Sequence, residues 1–190
     1  MPGVPQVSAL DAPLYGLAKQ GNIFTYYIAS QALILSATTG GHPTIINPIG
    51  SGKDFVPLAI RVGFTSGTTV IGSVLLAETL NVGGGAATAA PVATATLVQT
   101  SIRNAYRQGG TAKSSVMQWS PTTNTFTAAP SVICPVLNMG AAAPTGTGTY
   151  EATLDGSLVF APGTAMSVVY SVTTSTALFH LTIIGAEVPV

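Results

Sequence analysis

Along the last third of the chain, apolar and polar positions alternate with period two. Leu158 and Phe160 share one parity; Met166, Val168, Tyr170 and Val172 form a second run, and Phe179, Leu181 and Ile183 a third. Successive side chains of a strand point to opposite faces, so these runs predict half-buried antiparallel strands. Asp155-Gly156 and Pro162-Gly163 are turn dipeptides between them, since glycine accepts positive φ and proline presets the first corner of a turn. The cleanest alternation lies earlier. Val56, Leu58, Ile60, Val62 and Phe64 point one way, and Phe55, Pro57, Ala59, Arg61, Gly63 and Thr65 the other. Ser66-Gly67 then predicts a hairpin into 68–77, where Val70, Val74 and Leu76 alternate again.

The remaining segments are read in the same way. Phe24, Tyr26 and Ile28 share a face, Leu33, Ile34 and Leu35 form a short apolar run, and 44–47 is a brief strand. Residues 114–119 and 125–128 flank Pro121-Thr122-Thr123-Asn124 and read as a second hairpin, while Pro135 pushes the strand at 131–137 toward a sheet edge. Residues 81–95, with glycine at 83, 84 and 85, carry too few large side chains to pack and predict a long surface excursion. The stretch 96–108 fits a short helix or a β segment. Residues 1–21, with Pro2, Pro5 and Pro13 and no sustained period, read as an N-terminal arm or a frayed terminus. One β-sandwich domain then spans 22–190. Roughly eight to eleven short strands without a firm helix predict an all-β, two-sheet antiparallel jelly-roll sandwich, similar to the trimeric tumour-necrosis-factor-like and C1q-like domains.

Charge changes the picture. Six Lys plus Arg and six Asp plus Glu make up 6% of the 190 residues, against roughly 25% in an ordinary domain. A monomer of this mass exposes about 8,400 Å², which leaves on the order of 700 Å² per charged residue. With 47% hydrophobic residues and a mean hydropathy of +0.51, two exteriors are open. One is a skin of Ser, Thr, Gly and Ala; the other is a surface pressed against further protein. A net charge of zero and scattered cations argue against nucleic acid as a partner. No apolar run reaches a membrane span, and Met1 to Pro5 lacks a signal peptide's basic and apolar regions, so the expectation is synthesis in a cytoplasm and no membrane.

Candidate chemistry is sparse. Gly50-Ser51-Gly52-Lys53 lacks the early glycine and the trailing Ser or Thr of a phosphate loop. Gly63 to Gly67 has Thr at its centre and no strand-turn-helix context for a nucleophile elbow. Only His42 and His180 could serve as imidazole bases; the first sits in a loop, and the second has outward parity, toward solvent or a subunit contact. Cys134 stands alone among apolar neighbours as a buried structural thiol. No grouping matches a zinc or calcium site. The expectation is no enzyme, no metal and no cofactor.

Leu158-Val159-Phe160-Ala161-Pro162-Gly163-Thr164-Ala165, the two apolar strands after it and the terminal Gly185-Ala186-Glu187-Val188-Pro189-Val190 resemble small virion proteins of tailed bacteriophages. Asn47 to Asp54 followed by Leu58 to Gly63 is similar to the same proteins. The resemblance implies a virion location and a structural part, foremost a trimeric capsid decoration or cement protein whose partners are its own copies and the major capsid protein or other virion proteins. It also implies an acid at position 187. Interface candidates are Glu187, with Arg61 or Arg103 as its ion-pair partner, and the outward His180; a solvated Glu187 is the plain alternative. A second functional reading is the receptor- or glycan-binding tip of a tail fibre or spike, with Tyr106, Trp119 and Tyr150 as exposed contact aromatics.

Overall fold

The computed structural model describes residues 11–33, 39–68, 71–80, 92–95, 102–105, 113–126, 130–139, 149–172 and 176–190. One helix, α1 (Asp11–Lys19), comes first. Among the described residues thirteen strands follow: β1 (Ile23–Ala32), β2 (Thr39–Gly41), β3 (Thr44–Asn47), β4 (Lys53–Ser66), β5 (Gly72–Leu80), β6 (Val92–Ala95), β7 (Ile102–Asn104), β8 (Gln118–Ser120), β9 (Thr123–Phe126), β10 (Ser131–Met139), β11 (Thr149–Thr153), β12 (Thr164–Tyr170) and β13 (Leu178–Pro189). The first sheet has the order β11-β4-β13-β1-β7, the second β10-β5-β12-β3-β8, and a small third sheet β2-β9-β6. The protein is a two-sheet antiparallel β-sandwich, as the alternation of apolar positions predicts.

Period two explains the core. Phe24 and Tyr26 of β1, Ile60 and Val62 of β4, and Phe179, Leu181 and Ile183 of β13 face inward from the first sheet. Val74 and Leu76 of β5, Met166, Val168 and Tyr170 of β12, Ile45 of β3 and Trp119 of β8 meet them from the second. Aromatic contacts bridge the layers, with Tyr170 and Phe179 ring centroids 5.7 Å apart and Tyr26 and Trp119 5.9 Å apart. Cys134 is half-buried and packs on this core from the edge strand β10.

Four expectations are corrected. Both expected hairpins are absent: β4 pairs with β13 and β11 while β5 pairs with β10 and β12, and β8 pairs with β3 while β9 pairs with β2 and β6. The Ser66-Gly67 segment therefore leads from one layer to the other. Turn chemistry specifies that the chain bends, not which sheet receives the next strand. Second, the alternation of β4 does not run unbroken. Ile184 pairs with Ala59 but Gly185 with Pro57, so Leu58 is an extra residue, and a bulge of this kind reverses the faces of what precedes it. Phe55 thereby turns inward. Its ring lies where a Cβ on Gly185 would come within 2.3 Å, so β13 needs glycine at this point.

The third correction concerns 158–160, which forms no strand; Phe160 makes an isolated bridge to Phe55. Fourth, a helix occupies Asp11–Lys19 within the stretch read as an irregular arm. Its C-terminus is closed by hydrogen bonds from Gly21 N–H to Ala18 O and from Asn22 N–H to Leu17 O, each 2.9 Å, the paired pattern of a Schellman cap. Of 96–108, Ile102–Asn104 is a strand, and the rest of the possible helix lies outside the described residues.

Candidate functional site

The outer face of the first sheet gathers three of the four polar interface candidates. Cross-strand pairing lines up Tyr27, Thr182, Arg61 and Glu151 in one row, and Arg103, Thr25, Ile184, Ala59 and Thr153 in the next. Arg61 donates to Glu151 through Nε at 2.9 Å and Nη2 at 3.4 Å. Both side chains are nearly half exposed, at 46% and 44%. Arg103 is exposed on the edge strand β7. His180 packs flat over Gly63 and shares a hydrogen bond with Thr149, Nε2 to Oγ1 at 3.1 Å. A Cβ on Gly63 would lie 1.9 Å from the imidazole. The expected outward parity of His180 is what the structure has.

Glu187 departs from expectation. It carries the same parity as Phe179, Leu181 and Ile183, so it enters the inner end of the sandwich and is fully buried. Its partner is Lys53, Nζ to Oε2 2.9 Å, and neither Arg61 nor Arg103. Ser115 Oγ donates to Oε1 at 2.5 Å, and the Val116 amide donates at 3.1 Å to Oε1 and 3.3 Å to Oε2. Ser115 in turn bonds Tyr26 Oη at 3.0 Å and accepts from Met117 N–H at 3.0 Å. Burial, foremost, pushes the Tyr26 phenol far above its ordinary value, and the nearby Glu187 carboxylate adds to this. A buried carboxylate is tolerated when its lone pairs are met by donors. Here they are, so Glu187 fastens 115–117 across the end of the sandwich. Parity alone carried the signal for this.

The aromatic candidates separate. Trp119 is fully buried against Tyr26, and its Nε1 meets no acceptor among the described residues; it is a core residue held by packing and offers no contact surface. Its apolar bulk on an inward strand position explains the difference. Tyr106 lies outside the described residues. Tyr150 is 55% exposed on the edge strand β11.

Tyr150 belongs to an apolar flank. β10 and β11 are the edges of the two sheets on the same side of the sandwich. Val132 is 50% exposed there, and Ile133, Cys134, Val136 and Leu137 are half-buried. β10 carries no charged residue, although an edge strand that meets only water is usually guarded by charge. Pro135 and two register shifts against β5 roughen its backbone edge.

The outer face of the second sheet is different again. Thr44, Ala77, Ala165, Ser167 and Val169 have no solvent exposure, and Thr79 has almost none. Thr44 and Ser167 hydroxyls bond each other at 2.9 Å. His42, between β2 and β3, is fully buried, and burial lowers its imidazole to about 4.

Among the described residues no group of three His, Cys, Asp or Glu could hold a metal ion, and no helix is long and apolar enough to cross a membrane. No family model matches the chain, and no curated protein or solved structure proves similar to it.

Proposed function

We propose that this protein is a structural virion protein of a tailed bacteriophage, a homotrimeric jelly roll that decorates and stabilises the capsid. The strand order supports the jelly-roll reading: from β10 onward each successive strand lies in the opposite sheet, and the two five-stranded sheets close on one core. The observation that carries the functional reading is the flank of β10 and β11, with Val132 half exposed on the charge-free edge strand β10 and Tyr150 half exposed beside it on β11, whose one charged residue, Glu151, is paired with Arg61. Burying such a flank stabilises by about 25 cal/mol per Å² of apolar area. A three-fold contact is heterologous, so this flank meets a different patch of the next copy. The outer face of the first sheet, with Thr25, Tyr27 and Thr182 beside the Arg61–Glu151 pair, offers that patch. Major capsid protein would be the further partner.

The glycan-binding alternative loses Trp119 to the core and, among the described residues, keeps Tyr150. The test is co-sedimentation of purified protein with DNA-filled heads stripped of it. Saturable binding in multiples of three supports the proposal. A protein that stays in the supernatant, or that binds an immobilised glycan through Tyr150, contradicts it.

A further inference from the structure

The charged side chains that the structure describes are sorted by side. Two ion pairs, Lys53–Glu187 and Arg61–Glu151, account for four of them. The other cations are Lys19, Arg103 and Lys113, all exposed, and the other acids are Asp54, Glu78 and Asp155.

The cations share the β7 side of the sandwich. Arg103 is on β7 itself. The side chain of the neighbouring Asn104 donates to Lys113 O at 3.2 Å and to Gly21 O at 2.8 Å, and Lys113 Nζ donates to Asn22 Oδ1 at 3.3 Å. Lys113 is thereby held beside the end of α1, where Lys19 stands 5.6 Å from the centre of the Tyr15 ring. Leu14, Tyr15 and Val116 add exposed apolar surface to this side.

The acids lie toward β10 and β11. Asp155 is in the turn after β11, where a Cβ on Gly156 would meet Val56 of β4 at 3.6 Å, and Asp54 is two residues before Val56. Glu78 is on β5, opposite Ser131 of the edge strand β10. Val132, Tyr150 and Val159 are the exposed apolar residues here. In the first sheet three strand spacings separate β7 from β4 and four separate it from β11, about 14–19 Å. The Debye length at physiological ionic strength is about 8 Å, so the two sets hardly feel each other within one chain.

We propose that the contact between copies is head to tail, with the basic α1–β7 side of one chain seated on the acidic β10–β11 side of the next. This rests on the assembly reading above and names the surface that meets the flank. Charge complementarity selects the occupant: each side carries apolar residues among charges of the sign that the other lacks, and a net charge of zero sets up no overall repulsion between copies. Two different sides of one chain make a heterologous contact, as a closed ring of three needs. The outer face of the first sheet leads to the basic side, since Thr25 of β1 pairs with Arg103 of β7. Charges at the rim of a contact are screened by salt, whereas a purely apolar contact is not weakened by it.

The experiment is light scattering of the full chain over a concentration series at about 50 and about 500 mM sodium chloride, with wild type and charge-reversed variants. The wild-type concentration at which half the chains are assembled should rise on the order of tenfold from low to high salt. Lys19→Glu with Lys113→Glu should weaken assembly at low salt about as much, and so should Asp54→Lys with Asp155→Lys. All four substitutions in one chain restore opposite signs across the contact and should restore assembly, a rescue that an acidic partner other than a second copy would not produce. Three outcomes overturn the proposal. A wild type that assembles but responds neither to salt nor to reversal removes the head-to-tail contact and leaves the assembly reading standing. A four-fold variant that is folded by circular dichroism yet as weak as the paired variants shows that these bases and acids do not face each other. A wild type that stays monomeric at both salt concentrations removes the assembly reading and this contact together. Where a variant does not fold, the salt dependence of the wild type decides by itself.

Discussion

The two outer faces of the sandwich differ in how far the chain itself covers them. On the second sheet, Thr44, Ala77, Ala165, Ser167 and Val169 are sealed from solvent by the chain itself. On the first sheet, Arg61, Glu151 and Tyr27 stand in water. A low ionic content therefore has two separate meanings here. Part of it reflects a face that is interior in all but name, because the chain covers it. The first sheet and the β10–β11 flank are left open by the chain, and these are the surfaces that the proposed contacts would cover.

The largest effects should come from placing the same charge on each face. Val169→Asp would bury an unpaired carboxylate and cost about 4 kcal/mol or more. Thr182→Asp, beside Arg61 on the open face, should change monomer stability by less than about 1 kcal/mol. Urea denaturation of both variants measures the contrast, and equal losses would erase the distinction between the faces. The two ion pairs sharpen it. Both have an N–O distance of 2.9 Å, but Lys53 and Glu187 are 22% and 0% exposed against 46% and 44% for Arg61 and Glu151. Glu187→Ala leaves Ser115 and Val116 donors unmet and should cost about 3–5 kcal/mol.

Next in size is acid. His42 folded neutral with its imidazole held to about 4 contributes stability that is complete above about pH 6.5 and is lost progressively down to about pH 4, some 3 kcal/mol in all. Denaturation midpoints of wild type against His42→Phe between those limits isolate that slope. Smaller still, Gly63→Ala forces the His180 ring off the sheet, for about 1 kcal/mol, visible as loss of the Thr149 contact. Smallest is Arg61→Ala, under about 1 kcal/mol because the pair is exposed.

Much of the sandwich was legible in the alternation of apolar residues, because an inward face at every second position is a local signal. Phe24 and Tyr26, the runs of β12 and β13, and the outward His180 all follow from it. What escaped depends on partners distant in sequence. The Leu58 bulge reverses Phe55 only because Gly185 makes room across the sheet. Neither hairpin formed, since a turn dipeptide is blind to whether the next strand crosses to the other layer. Glu187 stands out in the sequence as a lone acid near a strand end, where charge is ordinarily solvated, whereas its inward parity carries it into the sandwich. Trp119 reads as a surface aromatic by its chemistry, whereas its size and its strand position call for the core. Local propensity also understated α1, whose end is set by its capping hydrogen bonds.

The account rests on the β10–β11 flank being covered by a sister copy, and the most direct test is the native mass of the protein at micromolar concentration by size exclusion with light scattering. A species three times the 19.1 kDa chain mass, dissociated by Val132→Lys with Tyr150→Lys while the fold persists, is the expected result. A chain that remains at 19.1 kDa across that concentration range would contradict it.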